Sequence, residues 1–232
     1  MFNKTLLPQS VAREIQGMIQ SGQLKPGEKI PSQREFSLKF GISRASLREA
    51  LLTLETLGLL KTEAGRGTFV AEPSRAAPGT SGHMAPWRYS DSYSVFDVFQ
   101  TRIMLEGEIA GLAAGRLTQL ELDKMEQATK TMEECWASQD LLANVDADLE
   151  FHGLIVSACS NAMLKALYQT VRDQVTETQR QPIPITDPER MRQSIAEHRR
   201  IIAALRANDG PLARREMEAH IRNTARCAGL EP

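Results

Sequence analysis

Apolar residues fall at helical spacing almost from the start of the chain. Val11, Ile15, Met18 and Ile19 predict a first helix over about 9–21. Pro26-Gly27 then marks a turn. Ser32, with Glu35 three residues on, is a capping-box pattern that opens a second helix, which ends near Phe40 with Gly41 as its C-cap residue. Ser43 caps a third helix whose inward positions are Leu47, Ala50, Leu51 and Leu54. Leu59–Thr62, a turn at Gly65–Gly67 and Thr68–Val70 predict a small two-stranded wing.

The stretch AEPSRAAPGTSGHMAP, residues 71–86, has no hydrophobic period and reads as a linker. From about Ser94 the pattern becomes continuously helical, with expected helices near 94–116, 118–138, 141–159, 161–180, 188–207 and 211–228. Their boundaries rest on Thr118 with Glu121, on Asn161, on Asp187-Pro188 and on Gly210-Pro211. The expected fold is mainly α: an N-terminal winged helix-turn-helix (1–72), a linker (73–90) and an antiparallel α-helical bundle (91–232).

Composition narrows the class. With 41% hydrophobic and 25% charged residues in 232, the chain can bury a core, and wholesale disorder is not expected. Aromatic residues are only 5%, which disfavours a β-sandwich. The apolar runs fall far short of the ~18 residues that span a bilayer, and the N-terminal residues lack the apolar core of a secretory signal. Cys135, Cys159 and Cys227 are odd in number and widely spaced, so a disulfide framework and a cysteine zinc finger are excluded, and a cytoplasmic protein is expected. The net charge of −1 hides an asymmetry: residues 1–75 hold 11 Lys and Arg against 7 Asp and Glu, whereas the remainder is acidic. A basic first third points to a polyanionic partner.

Two short helices joined by a tight Gly-containing turn make a helix-turn-helix, whose second helix enters the major groove. Ser43, Arg44, Ser46 and Arg48 cluster at the leading end of that helix. Arginine there can donate two bonds to guanine, and serine can bond base or phosphate. Arg66 stands between Gly65 and Gly67, where the backbone can approach phosphate while the guanidinium reaches a groove. A solvated basic helix face is the plainer alternative. The stretch LKPGEKIPSQREFSLKFGISRASLREALLTLETLGLLKTEAGRGTFV resembles the winged helix-turn-helix of GntR-type bacterial transcription regulators, over residues 9–70. The resemblance implies DNA contacts from Arg34, Arg44, Arg48 and Gly65 to Gly67. Gln33 departs from it, since an acidic residue is usual there.

The helical stripes of the second part carry unusual polar residues. One runs Leu141, Val145, Asp148, His152, Ile155, Cys159; a second Met191, Ile195, His198, Ile202, Leu205; a third Ala213, Met217, His220, Thr224, Cys227. Three of the four histidines thus sit mid-stripe, and His83 falls in the linker. Buried separately, each group needs a hydrogen-bond partner, and hydrogen-bonded core histidines are one reading. One metal ion satisfying Asp148, His152, His198 and His220 together is the other. Three nitrogens and an oxygen suit Zn²⁺, Ni²⁺, Mn²⁺ or Fe²⁺. On the first helix of the bundle, Arg102 and Glu106 share a stripe with Val95, Phe99, Ile109 and Ala113. They form either an internal salt bridge or, through Arg102, a clamp for a carboxylate.

The segments RIMLEGEIAGLAAGR, DLEFH and AEHRRIIAALRANDGPLARREMEAHI resemble the FCD ligand-sensing domain of the FadR-like branch of the same family. The resemblance implies that Asp148, His152, His198 and His220 ligate one divalent metal per subunit, zinc foremost. It also implies that the effector is a small carboxylate or sugar acid bound beside the metal. Arg102, from its stripe, and Asn223, a turn-neighbour of His220 that the motif does not single out, are the effector-binding candidates. The expected function is a homodimeric, operator-binding transcriptional repressor under effector control. A regulator for which the ion itself is the signal is an alternative. A metal-dependent hydrolase is a weaker one, because Glu150 is two residues from both Asp148 and His152, faces away, and leaves no free general base.

Overall fold

The computed structural model describes residues 6–72 and 87–232. The chain forms two units, 1–86 and 87–232. Of the expected linker, residues 73–86, including His83, lie outside the described residues, and residues 87–93 form turns in which Trp87 Nε1 donates to the Tyr93 carbonyl at 2.6 Å.

In the first unit, α1 spans Leu6–Gln20. It starts three residues earlier than the periodicity suggests, with Pro8 in its first turn, where a missing N–H breaks no helical bond. Helix α2 (Gln33–Phe40) opens on the full capping box: Ser32 N donates to Glu35 Oε2 at 2.7 Å and Glu35 N donates to Ser32 Oγ at 3.3 Å. Gly41 ends it in the left-handed region, φ 64°. Helix α3 (Arg44–Thr56) begins at the Ser43 cap and buries Leu47, Ala50, Leu51 and Leu54. Strands β1 (Leu60–Glu63) and β2 (Gly67–Val70) pair antiparallel, with Leu60 opposite Val70 and Glu63 opposite Gly67. Gly67 adopts φ +117°, a backbone conformation that favours glycine; a Cβ there would stand 2.6 Å from Lys29 Cε, which a lysine side chain can vacate.

The second unit contains α4 (Val95–Ala113), α5 (Gln119–Ala137), α6 (Leu141–Ala158), α7 (Ala162–Thr170), α8 (Arg172–Arg180), a 3₁₀ turn (Ile183–Ile185), α9 (Pro188–Arg206) and α10 (Gly210–Cys227). The expected single helix over 161–180 is two helices. The break is at Val171, whose N–H bonds back to Tyr168 O in a tighter i→i−3 turn. Tyr168 and Val175 are both buried at seven-residue spacing, so the stripe runs unbroken across the break and periodicity does not register it.

Helices α4, α10, α9, α5 and α6 form a closed ring of neighbours, and α8 lies against α4 and α6. Short connections make α5–α6 and α9–α10 antiparallel pairs. Phe99, Ile109, Phe151, Ile201 and Ile221 are fully buried inside the ring, each contributing roughly 1.5–3 kcal/mol. Helices α4 and α10 meet closely at Gly111 and Gly210, where a Cβ on Gly210 would sit 2.7 Å from Gly111 O. The closed ring turns the polar stripes of α6, α9 and α10 toward one another, with that of α4 beside them. Among the described residues no helix is long and apolar enough to cross a membrane.

Candidate DNA-contacting face and candidate metal centre

The leading end of α3 is organised by its cap. Ser46 N donates to Ser43 Oγ at 3.1 Å, and the two hydroxyls are 2.9 Å apart. Both hydroxyls are thereby engaged locally, and Ser43 is held as a cap before it can serve as a reader. Arg34, Arg44 and Arg48 are exposed, and none has an ion-pair partner among the described residues. Arg66, at the tip of the wing, pairs with Glu63 and lies over the Phe69 ring at 5.5 Å. Gly65 holds φ +73° and Gly67 φ +117°, which leaves the backbone bare on both sides of Arg66. The first unit thus presents three unpaired guanidiniums and a glycine-flanked wing tip.

In the second unit, Asp148, His152, His198 and His220 converge. One ligand atom from each can be chosen so that all lie within 4.8 Å of one another. The three histidines are at most 4% exposed. Asp148 is oriented from behind: Gln179 Nε2 donates to its Oδ2 at 2.9 Å, while Oδ1 lies 3.2 Å from His198 Nε2 and 3.7 Å from His152 Nε2. His152 Nδ1 stands 2.5 Å from Glu106 Oε2, close but off the line of a full hydrogen bond. His220 Nδ1 lies 2.8 Å from Glu197 Oε2. With each Nδ1 set against a carboxylate, the Nε2 atoms of His152 and His220 are the free ones.

Asp148 and His220 are both held in the protonation state that a metal ligand needs. Burial raises the Asp148 carboxyl, but the His152, His198 and His220 rings outweigh it and hold the group well below the usual carboxylate range. Burial likewise raises Glu106, and Arg102 and His152 bring it down to about 2. Glu197 is held low by His220 and Arg190 against its burial. Burial, with the neighbouring His198 ring, pushes His220 down to about 4, overriding its bond to Glu197, so its imidazole is neutral at pH 7.

His152 Nε2 and both ring nitrogens of His198 are buried with no hydrogen-bond partner. Each such atom costs roughly 1–3 kcal/mol. Native interiors rarely leave three together, and a divalent cation would take His152 Nε2 and one nitrogen of His198 along with a carboxylate. The donor set therefore fits a metal ion. Beside the cluster lies a cavity of about 60 Å³, whose wall includes Arg102, Asp148, Arg190, His220 and Thr224.

Residues 7–70 match the gntR family of bacterial regulatory proteins, and residues 97–223, more than half the chain, match the FCD domain. The chain belongs to the GntR family. It is similar to the HTH-type transcriptional regulator LutR of Bacillus subtilis, 31% identical over 89% of this chain and 94% of that protein. It is also similar to the Uxu operon transcriptional regulator of Escherichia coli, 29% identical over 93% of this chain and 84% of that protein. Among solved structures, E. coli McbR/YncC shares the fold with a TM-score of 0.54 at 20% identity, over 96% of this chain and 97% of that one. This GntR protein is accordingly a DNA-binding transcriptional regulator with a ligand-sensing FCD domain, and not an enzyme. Glu150 is exposed.

Within the FCD domain, Arg102 forms the internal salt bridge and also reaches the cavity. Its Nε donates to Glu106 Oε1 at 2.7 Å and its Nη1 to Thr178 Oγ1 at 3.2 Å, and it also lines the cavity. Asn223 is not on the cavity wall; its Nδ2 donates to Glu197 Oε1 at 2.8 Å. Stripe reasoning missed Glu197, Arg190 and Gln179. Arg190 makes a bidentate pair with Glu197 at 2.9 and 2.7 Å, and so ties the cavity wall to the residue behind His220. Glu197 directly precedes His198 and falls off its stripe, so only the helix opposite gives it a role.

Proposed function

We propose that this regulator is a homodimeric repressor whose operator affinity is set by a small carboxylate bound beside a divalent metal in the FCD domain. Asp148, His152, His198 and His220 would hold the metal, with zinc the foremost choice for three imidazoles and one carboxylate. The observation that carries this reading is the set of buried, partnerless nitrogens of His152 and His198, clustered with Asp148 and His220, which themselves line a cavity with two guanidiniums. When bound, the ion supplies a positive centre that attracts a carboxylate oxygen. Arg102, already fixed by Glu106 and Thr178, presents its remaining N–H donors to the same guest, and Arg190 offers a second cation. The cavity favours an effector over a regulator that senses the ion alone, because an ion needs no such space. Its size also narrows the effector. At roughly 10–15 Å³ per water-sized probe, about 60 Å³ accommodates a handful of heavy atoms. That fits a two- to four-carbon acid better than a sugar acid.

In the DNA-binding domain, Arg44 and Arg48 read base edges, with Ser43 and Ser46 beside them. Arg34, Gly65, Arg66 and Gly67 contact the backbone or groove. Two-fold pairing supplies the second half-site that one domain lacks, and occupancy of the operator blocks transcription. Titrating operator binding of metal-loaded protein against lactate, glycolate, malonate and glucuronate tests the reading. A response to a small acid and not to metal alone supports it. A response to added metal with no acid overturns it in favour of an ion sensor. Light scattering that finds a monomer both free and on the operator overturns the dimer.

A further inference from the structure

A second cavity, a groove of about 280 Å³ open to solvent, lies on the far side of α6, lined by α6, α7 and α8 and sharing no wall residue with the first. Its wall includes Gly153, Val156, Lys165, Tyr168, Arg172 and Thr176. Neither Lys165 nor Arg172 has a carboxylate partner among the described residues, and the Lys165 ammonium makes only a long 3.5 Å approach to the Ser157 carbonyl. Two cations facing one cavity without a counter-charge are an arrangement that an anion relieves.

Three further features agree. Tyr168 is 5% exposed, yet its phenol has no hydrogen-bond partner among the described residues. Burial, reinforced by Glu106, raises its ionisation above the ordinary tyrosine range, so it stays a neutral O–H donor. Helix α8 begins at Arg172 with no side-chain cap, because Val171 offers no acceptor to its first N–H groups. Finally, Gly153 stands mid-helix in α6, where glycine is unfavourable, and a Cβ added there would meet nothing within 4 Å. Among the described residues no packing contact accounts for that glycine, whereas room for a guest in the cavity does.

We infer that this groove is a second ligand site, separate from the metal centre, that takes an organic anion with a phosphate or carboxylate head. Lys165, Arg172 and the open start of α8 hold the head, Tyr168 and Thr176 donate to it, and Val156 with the Tyr168 ring meets the apolar body. The volume approaches that of ordinary metabolite pockets, ~300 Å³ and above, and exceeds that of the first cavity.

Calorimetry of the metal-loaded full-length protein with phenyl phosphate tests this. Wild type should bind, and Arg172→Ala should weaken binding roughly ten- to hundredfold, as expected for a lost charged hydrogen bond. Gly153→Leu should abolish binding by filling the groove without lowering thermal stability, since leucine is the better helix former. Absence of wild-type binding at millimolar concentration overturns the inference. So does unchanged affinity in both variants, which would put the probe at the metal centre. Conversion of a dimer to a monomer by Gly153→Leu also overturns it, because the groove would then be covered by a second copy.

Discussion

Replacing His198 by alanine separates the metal from ordinary packing. The ring is fully buried and meets Phe151 edge-on at a centroid distance of 4.3 Å. Its loss leaves a cavity costing roughly 2–4 kcal/mol, by analogy with other large-to-small core changes. In metal-free protein that cost is partly offset, because two orphaned nitrogens vanish with the ring, each worth roughly 1–3 kcal/mol. The variant and wild type should therefore be close in stability without metal. They should diverge when metal is added. A ligand at a thousand times its Kd stabilises the folded state by about 4.1 kcal/mol, which is on the order of 10 °C for a domain this size. Losing one of four ligands should weaken the site by more than the 10–100-fold typical of an outer partner, so the variant forfeits at least about 1.4–2.7 kcal/mol of that gain. Scanning calorimetry of both proteins, stripped and zinc-loaded, with elemental analysis of each, measures the difference of differences, from which the cavity cost cancels. Basal operator binding should persist and the acid response should be lost. Equal zinc-induced shifts in the two proteins would refute the metal assignment.

Arg44→Ala or Arg48→Ala should lower operator affinity by roughly ten- to hundredfold and flatten sequence preference, each lost bidentate base contact being worth ~1–3 kcal/mol; unchanged footprints would contradict their role. Arg66→Ala should weaken binding evenly across sequences and reduce the salt slope by about one, as read from titrations at several ionic strengths. The effect should be modest, since Arg66 must first leave Glu63 and Phe69. Glu197→Gln should lower zinc affinity by roughly 10–100-fold in a chelator competition while preserving helicity, because the carboxylate behind His220 Nδ1 is lost. Arg102→Ala should do more than weaken the effector: it strands Glu106 at 2% exposure, and breaking a buried pair costs roughly 3–5 kcal/mol. A denaturant melt of Arg102→Ala matching wild type would show that the pair contributes little.

Interactions that span three or four residues were determined by the sequence itself. The capping boxes at Ser32 and Thr118, the Asp187-Pro188 start and the left-handed Gly41 all depend on local geometry, so they appear where their residues do. The Asp148–His152 pair and the mid-stripe positions of His198 and His220 were legible for the same reason, since period 3.6 puts them on the inward face. Tertiary structure decided what those inward faces meet. Helices α4 and α10 come together through Gly111 and Gly210, and Glu197 reaches His220 across 23 residues of sequence while Gln179 reaches Asp148 across 31. No one-dimensional period encodes such pairs, because the spacing that joins them is set by helix packing. The break at Val171 is of the same kind: its flanks keep the stripe, and only the three-dimensional course of the chain shows α7 and α8 as separate helices around the second cavity.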